Sequence, residues 1–99
     1  MTLPIVWRMS ARADLAEIIR YIADVNPPAA RRLRQRLTAS VLPVSEHPYL
    51  YRRSEHCPGM REIVAHPNYI VLYQVTATCI EVVNVVHARR EFPSVADDF

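Results

Sequence analysis

The hydrophobic period of this chain changes near its middle, and that change constrains the fold more than any other feature. Up to Val44 the apolar residues recur every three or four positions, and from Gly59 onward they alternate. A helical first part followed by consecutive strands predicts a single α+β layer pair. Ala11, Leu15, Ile18, Ile22 and Val25 make one apolar stripe. Ile19 and Tyr21 lie at its margins, and Arg12, Asp14, Glu17, Arg20 and Asp24 fill the wet face. Ser10 stands where a hydroxyl caps the start of that helix.

Asn26-Pro27-Pro28 ends the first helix and begins a second, because proline is tolerated in a first turn whose N–H groups have no partner. Ala30, Leu33, Leu37, Val41 and Val44 form its inner face, and Pro43 cuts or kinks its last turn. So short a connection makes the two helices an antiparallel hairpin. Ile5 to Arg8, before the hairpin, reads as a strand.

Three more strands are predicted at Met60–Ala65, Tyr69–Thr76 and Cys79–Ala88. The tight connections His66-Pro67-Asn68 and Ala77-Thr78 make neighbours antiparallel. In the middle strand Tyr69, Val71, Tyr73 and Val75 share one face. In the last strand Ile80, Val82, Asn84 and Val86 alternate with Glu81, Val83, Val85 and His87. Both faces are fairly apolar, so both should be covered, one of them by the helical hairpin. The predicted order is β-α-α-β-β-β, an N-terminal strand and antiparallel helical hairpin packed on an antiparallel sheet, in one domain over residues 1–99.

Composition narrows the chemistry. At 51% hydrophobic and 22% charged, the 99 residues suit a globular core. No apolar run approaches the ~20 residues of a membrane span. Met1-Thr2-Leu3-Pro4 lacks the pattern of a secretory signal. Cys57 and Cys79, without a CxxC motif, read as thiols of a reducing compartment, so the expected location is cytoplasmic. The single local His/Cys cluster, His56-Cys57 with His47 and Glu55 nearby, has no second ligand pair, and neither a metal nor another cofactor is expected. A lone glycine, Gly59, excludes phosphate-cradling loops. Glu46, Glu55 and Glu62 lie in unrelated contexts, which argues against a carboxylate pair.

The formal net charge is only +2, too small to identify a nucleic-acid binder, yet all twelve basic residues are arginine. Their planar forks suit phosphate or carboxylate partners. Arg31, Arg32, Arg34 and Arg36 crowd the second helix, either as a solvated face or to dock an acidic protein or a nucleic-acid backbone. Arg61, His66, Asn68, His87, Arg89 and Arg90 fall at or near strand ends, where side chains from different strands can converge. Such a cluster has the groups that metal-free RNA cleavage needs: a base, an acid and cations at the phosphate.

Several runs together resemble the ParE branch of the RelE/ParE toxin superfamily. They are PIVW (4–7), ADLAEIIRYIA (13–23), NPPAARRL (26–33), GMREIVAHPNYIVLY (59–73), its continuation to Val75 and EVVNVVHARR (81–90), which cover nearly the whole chain in order. The resemblance implies a type II toxin silenced by a ParD-like antitoxin. It implies one of two targets: DNA gyrase for ParE-like members, or mRNA in the ribosomal A site for RelE-like members. In the RNA-cleaving branch an arginine typically follows the tyrosine that opens the middle strand, and here Ile70 follows Tyr69. That branch also commonly has lysines on the preceding strand, where this chain has Arg61, Ile63 and Ala65, and some relatives use a C-terminal tyrosine, where it has Phe92 and Phe99.

The expectation is therefore a gyrase-binding toxin with no catalytic residues of its own. Arg61, His66, Asn68, His87, Arg89 and Arg90, with the tail after Phe92, would meet the target. Val6, Trp7, Ile19 and Tyr21 would meet the antitoxin, through which alone the toxin would touch operator DNA. A ribosome-dependent endonuclease, or a degenerate toxin that only binds antitoxin, are the alternatives.

Overall fold

A computed structural model describes residues 2–89. Strand β1 (Ile5–Trp7) leads into helices α1 (Met9–Ala23) and α2 (Pro27–Ala39), and a short 3-10 turn (Leu42–Ser45) follows. Strands β2 (Arg61–His66), β3 (Tyr69–Val75) and β4 (Ile80–His87) complete the chain. The sheet order is β1-β4-β3-β2; β2, β3 and β4 are antiparallel neighbours, and β1 joins the β4 edge in parallel. The four-stranded sheet with a helical hairpin on one face is the α+β architecture expected from the change of period.

The helical hairpin forms as its local chemistry dictates. Asn26 Oδ1 accepts the Ala29 N–H at 3.1 Å and starts α2, with prolines in the first turn. Ala30, Leu33, Leu37, Val41 and Val44 are all buried, and Pro43 stands in the 3-10 turn that replaces the helix. Ala11 and Leu15 of α1 meet Leu33, Leu37, Val41 and Val44, together with Ile63, Val71, Tyr73, Ile80, Val82 and Val85 from the sheet. The far face carries a smaller cluster of Cys57, Ile70 and Leu72, with Met60, Val86 and Ala88 beside it. The segment before β2 thus covers part of the second face, held by Ser54, whose hydroxyl accepts from Cys57 N–H at 3.0 Å and donates to Glu62 Oε2 at 2.9 Å. The Glu62 side chain is only 3% exposed, and its other oxygen lies 3.2 Å from Arg52. The 52–54 backbone also shields the start of the β2 edge, with Glu62 N–H donating to Arg52 O and Ser54 N–H to Met60 O.

Four local readings of the sequence are corrected. Arg8, and not Ser10, occupies the cap position of α1 with no side-chain cap, because the Ser10 hydroxyl is drawn to the Val83 carbonyl. Asp14 leaves the wet face for the same region of β4. Val25 lies past the end of α1 and is 86% exposed, so the stripe stops at Ile22. The alternation of β4 breaks at Val83: Leu72 pairs with Asn84 but Tyr73 pairs with Val82, which leaves one extra residue in β4. Val85 therefore joins Ile80 and Val82 in the main core, while Val86 turns to the far face.

Candidate target-binding site

A second bulge lies in β2, where Val64 pairs with Ile70 and His66 with Tyr69, so that Ala65 is the extra residue. Each bulge reverses the parity of the residues after it. His66 and His87 consequently share the helix-side face with Tyr69, although unbroken alternation would have sent both away. Tyr69 pairs with His66 on one neighbour strand and with His87 on the other. Its ring lies 5.7 Å from the His66 ring at 48° and 5.3 Å from the His87 ring at 73°, an edge-on contact.

The helices hold both bulges. Asp14 Oδ2 accepts from Asn84 Nδ2 at 2.9 Å and from the Val85 N–H at 3.0 Å. Ser10, one helical turn earlier on α1, donates to Val83 O. On the other side Arg36 Nε donates to Ala65 O at 2.8 Å. Backbone groups at and beside the two bulges are thus satisfied from α1 and α2.

The two imidazoles are fixed alike. His66 Nδ1 accepts the Asn68 N–H at 3.0 Å, and His87 Nδ1 accepts the Arg89 N–H at 3.2 Å. Each neutral ring therefore carries its proton on Nε2, which has no partner among the described residues. Burial, and then the Arg36 guanidinium, push the His66 pKa below its ordinary value of 6.5. The Ala88 N–H donates to Asn68 O at 2.7 Å and ties the β2–β3 turn to the end of β4. A cleft of about 510 Å³ opens beside the row, lined by Asp14, Glu17, Ile18, Tyr21, Tyr69, Val85 and His87.

His66, Asn68, His87 and Arg89 therefore gather at one end of the sheet. Arg61 does not join them. It pairs with Tyr73, four residues along β3 from Tyr69, about 13 Å at strand spacing. There it donates to Tyr51 O at 2.8 Å and lies 4.9 Å above the Tyr49 ring, so it tethers a loop. Arg90 and the tail after Phe92 fall outside the described residues. Val6, Trp7, Ile19 and Tyr21 line no common cleft among the described residues either. Tyr21, 78% exposed, overhangs the His87 cleft, whereas Trp7 lines another with Arg12, Leu15, Ala16, Arg34 and Thr38. Ile19 packs half-buried against the core, and Val6 is 45% exposed.

Sequence reading missed Tyr69, Asp14 and Arg36 as parts of this end. Spacing across the His66-Pro67-Asn68 turn could have placed Tyr69 against His66. Nothing in the alternation announced the bulges that recruit the other two.

The ParE toxin family of type II toxin–antitoxin systems, parDE, matches residues 5–92. This chain belongs to that family. Toxin RelE2 of Caulobacter vibrioides is 34% identical over 86 residues, 87% of this chain and 96% of that protein. A putative toxin of Sinorhizobium fredii, Y4kP, is 30% identical over 89 residues, 90% of this chain and 92% of its own length. Among solved structures, the toxin fold of the chromosomal ParDE system of P. aeruginosa superposes with a TM-score of 0.77 at 19% identity, covering 87% of this chain and 96% of that one. A chain of the E. coli DinJ-YafQ toxin-antitoxin complex matches at 0.58 and 12% identity, covering 88% and 93%. The ParE family assignment and the shared fold thus agree with the order of elements. The relatives' names span ParE and RelE, so the choice of target falls to individual residues.

Proposed function

We propose that this ParE-family toxin arrests growth by binding DNA gyrase and favouring the state in which DNA is cut but not resealed, with no covalent chemistry of its own. The observation that carries this reading is the burial of Ile70. Only 8% exposed, it packs with Cys57 and Leu72 on the face away from His66 and His87. The position where the RNA-cleaving branch typically has a phosphate-contacting arginine is a core residue here, and an apolar side chain cannot stabilise developing charge. His66, Asn68, His87 and Arg89 form the centre of the target surface, and Arg90, next in sequence, acts with them; arginines there pair with acidic groups or DNA phosphates. Arg61 contributes at most at the periphery. A ParD-like antitoxin in the same cytoplasm neutralises the toxin, and operator DNA is reached only through it.

One observation favours the alternative of ribosome-dependent mRNA cleavage: two histidines whose Nε2 atoms have no partner among the described residues flank Tyr69. Such groups exchange protons with a substrate when their pKa lies near working pH. The test is a plasmid cleavage assay with gyrase, ATP and the purified toxin. Linear DNA should accumulate with dose and fall by tenfold or more in an Arg89→Ala/Arg90→Ala variant. Intact gyrase activity together with A-site mRNA cuts that disappear in His87→Ala would overturn the reading.

A further inference from the structure

Helix α2 carries Arg31, Arg32, Arg34 and Arg36 and no acidic residue. Among the described residues none of the four has an ion-pair partner. Two of them, Arg32 and Arg36, line a cleft of about 420 Å³ between α2 and the end of β2, with Ala29, Leu33 and His66. Among the described residues no carboxylate lines it. Positions 29, 32 and 36 lie within one face of the helix at spacings of three and four, so the two guanidinium groups flank one opening.

The donors in this cleft are oriented before any ligand arrives. Arg36 spends its Nε–H on Ala65 O, which pins the guanidinium and leaves its two terminal amino groups for another acceptor. The β2 bulge turns His66 into the same opening, and the Asn68 N–H on Nδ1 leaves the Nε2–H as the remaining donor of a neutral ring. Two arginine forks and one imidazole N–H, converging from a helix and a strand end, suit the non-bridging oxygens of a phosphate group, two on a diester and three on a monoester. We propose that Arg32, Arg36 and His66 form a phosphate-binding site on the α2 side of the sheet. The phosphoryl group comes from a nucleic-acid backbone or from a free phosphorylated molecule such as a nucleotide. Because it shares His66 with the target surface, the site partly rests on that reading; it is measured without gyrase, so the two can fail separately.

The test follows the His66 and His87 ring resonances of the full chain by NMR during pH titrations with and without inorganic phosphate. Phosphate should raise the His66 pKa by roughly one unit and leave His87 unmoved. Arg32→Ala, a change at an exposed side chain with no hydrogen-bond or ion-pair partner among the described residues, should weaken phosphate binding about tenfold while preserving the spectrum. A His66 titration indifferent to phosphate, or equal shifts at His66 and His87, would overturn the proposal, as would unchanged affinity in the Arg32 variant. Binding of a short single-stranded oligonucleotide is then compared with that of a mononucleotide. Tighter oligonucleotide binding names the backbone as the source and equal binding names the free molecule; failure of both to displace inorganic phosphate overturns the site.

Discussion

At the residue scale, Asp14 has the largest consequence for its size. A helical carboxylate accepts from the Val85 N–H and from the Asn84 side-chain amide just past the β4 bulge. Asp14→Ala should cost about 1–3 kcal/mol, the penalty for leaving such a group unsatisfied, and Asp14→Asn should cost less because its amide oxygen can still accept. Chemical denaturation of the three proteins checks this, and equal midpoints for all three would show that the carboxylate does not hold the bulge. Ser54 is the counterpart on the far face. Its hydroxyl joins Glu62 to the amide of Cys57. Ser54→Ala should lose a similar 1–3 kcal/mol and speed hydrogen exchange of the Cys57 amide, because a buried carboxylate oxygen and a backbone donor lose one partner together.

At the element scale, the helices and strands were legible because each is set by a local rule. The α2 start follows from Asn26 and two prolines, and its inner face from the spacing of Ala30, Leu33 and Leu37. The β2–β3 hairpin follows from alternation on either side of His66-Pro67-Asn68. What alternation could not supply was its own interruption. Val83 and Ala65 are ordinary strand residues, and an extra residue in a ladder has no composition signal; it is tolerated because Ser10, Asp14 and Arg36 reach across from the helices. Alternation alone therefore puts His87 on the wrong face and beside the wrong neighbours. Arg61, like the histidines, stands at a strand end, but antiparallel pairing puts the start of β2 at the opposite end of the sheet.

At the scale of the whole molecule, two buried or partly buried groups bracket the pH range of stability. The folded pKa of His66 is depressed, first by desolvation and then by Arg36. Its contribution is present above 6.5 and is lost as pH falls through the lowered folded value, because the unfolded chain takes up the proton first. Tyr73 works in the other direction. Burial raises its pKa above the ordinary 10.0, against smaller opposing effects of a backbone hydrogen bond and Arg61. Its contribution is complete below 10.0 and is lost as pH climbs through the raised folded value. Equilibrium unfolding across pH should therefore show a plateau between the two. His66→Gln should remove the part of the acid-side loss that begins near 6.5, and Tyr73→Phe should flatten the alkaline limb. An unchanged alkaline limb in Tyr73→Phe would refute the assignment to that phenol.

The sequence by itself determined the α+β order, the hairpin, the core faces of both helices and, through runs covering nearly the whole chain, the toxin family. Those are consequences of local spacing, caps and turn residues, which act over a few positions. Tertiary structure decided which strand ends meet, which way His66 and His87 face, and that Ile70 is core. These depend on strand order and register across tens of residues, and on bulges whose cost is offset only once the helices have docked.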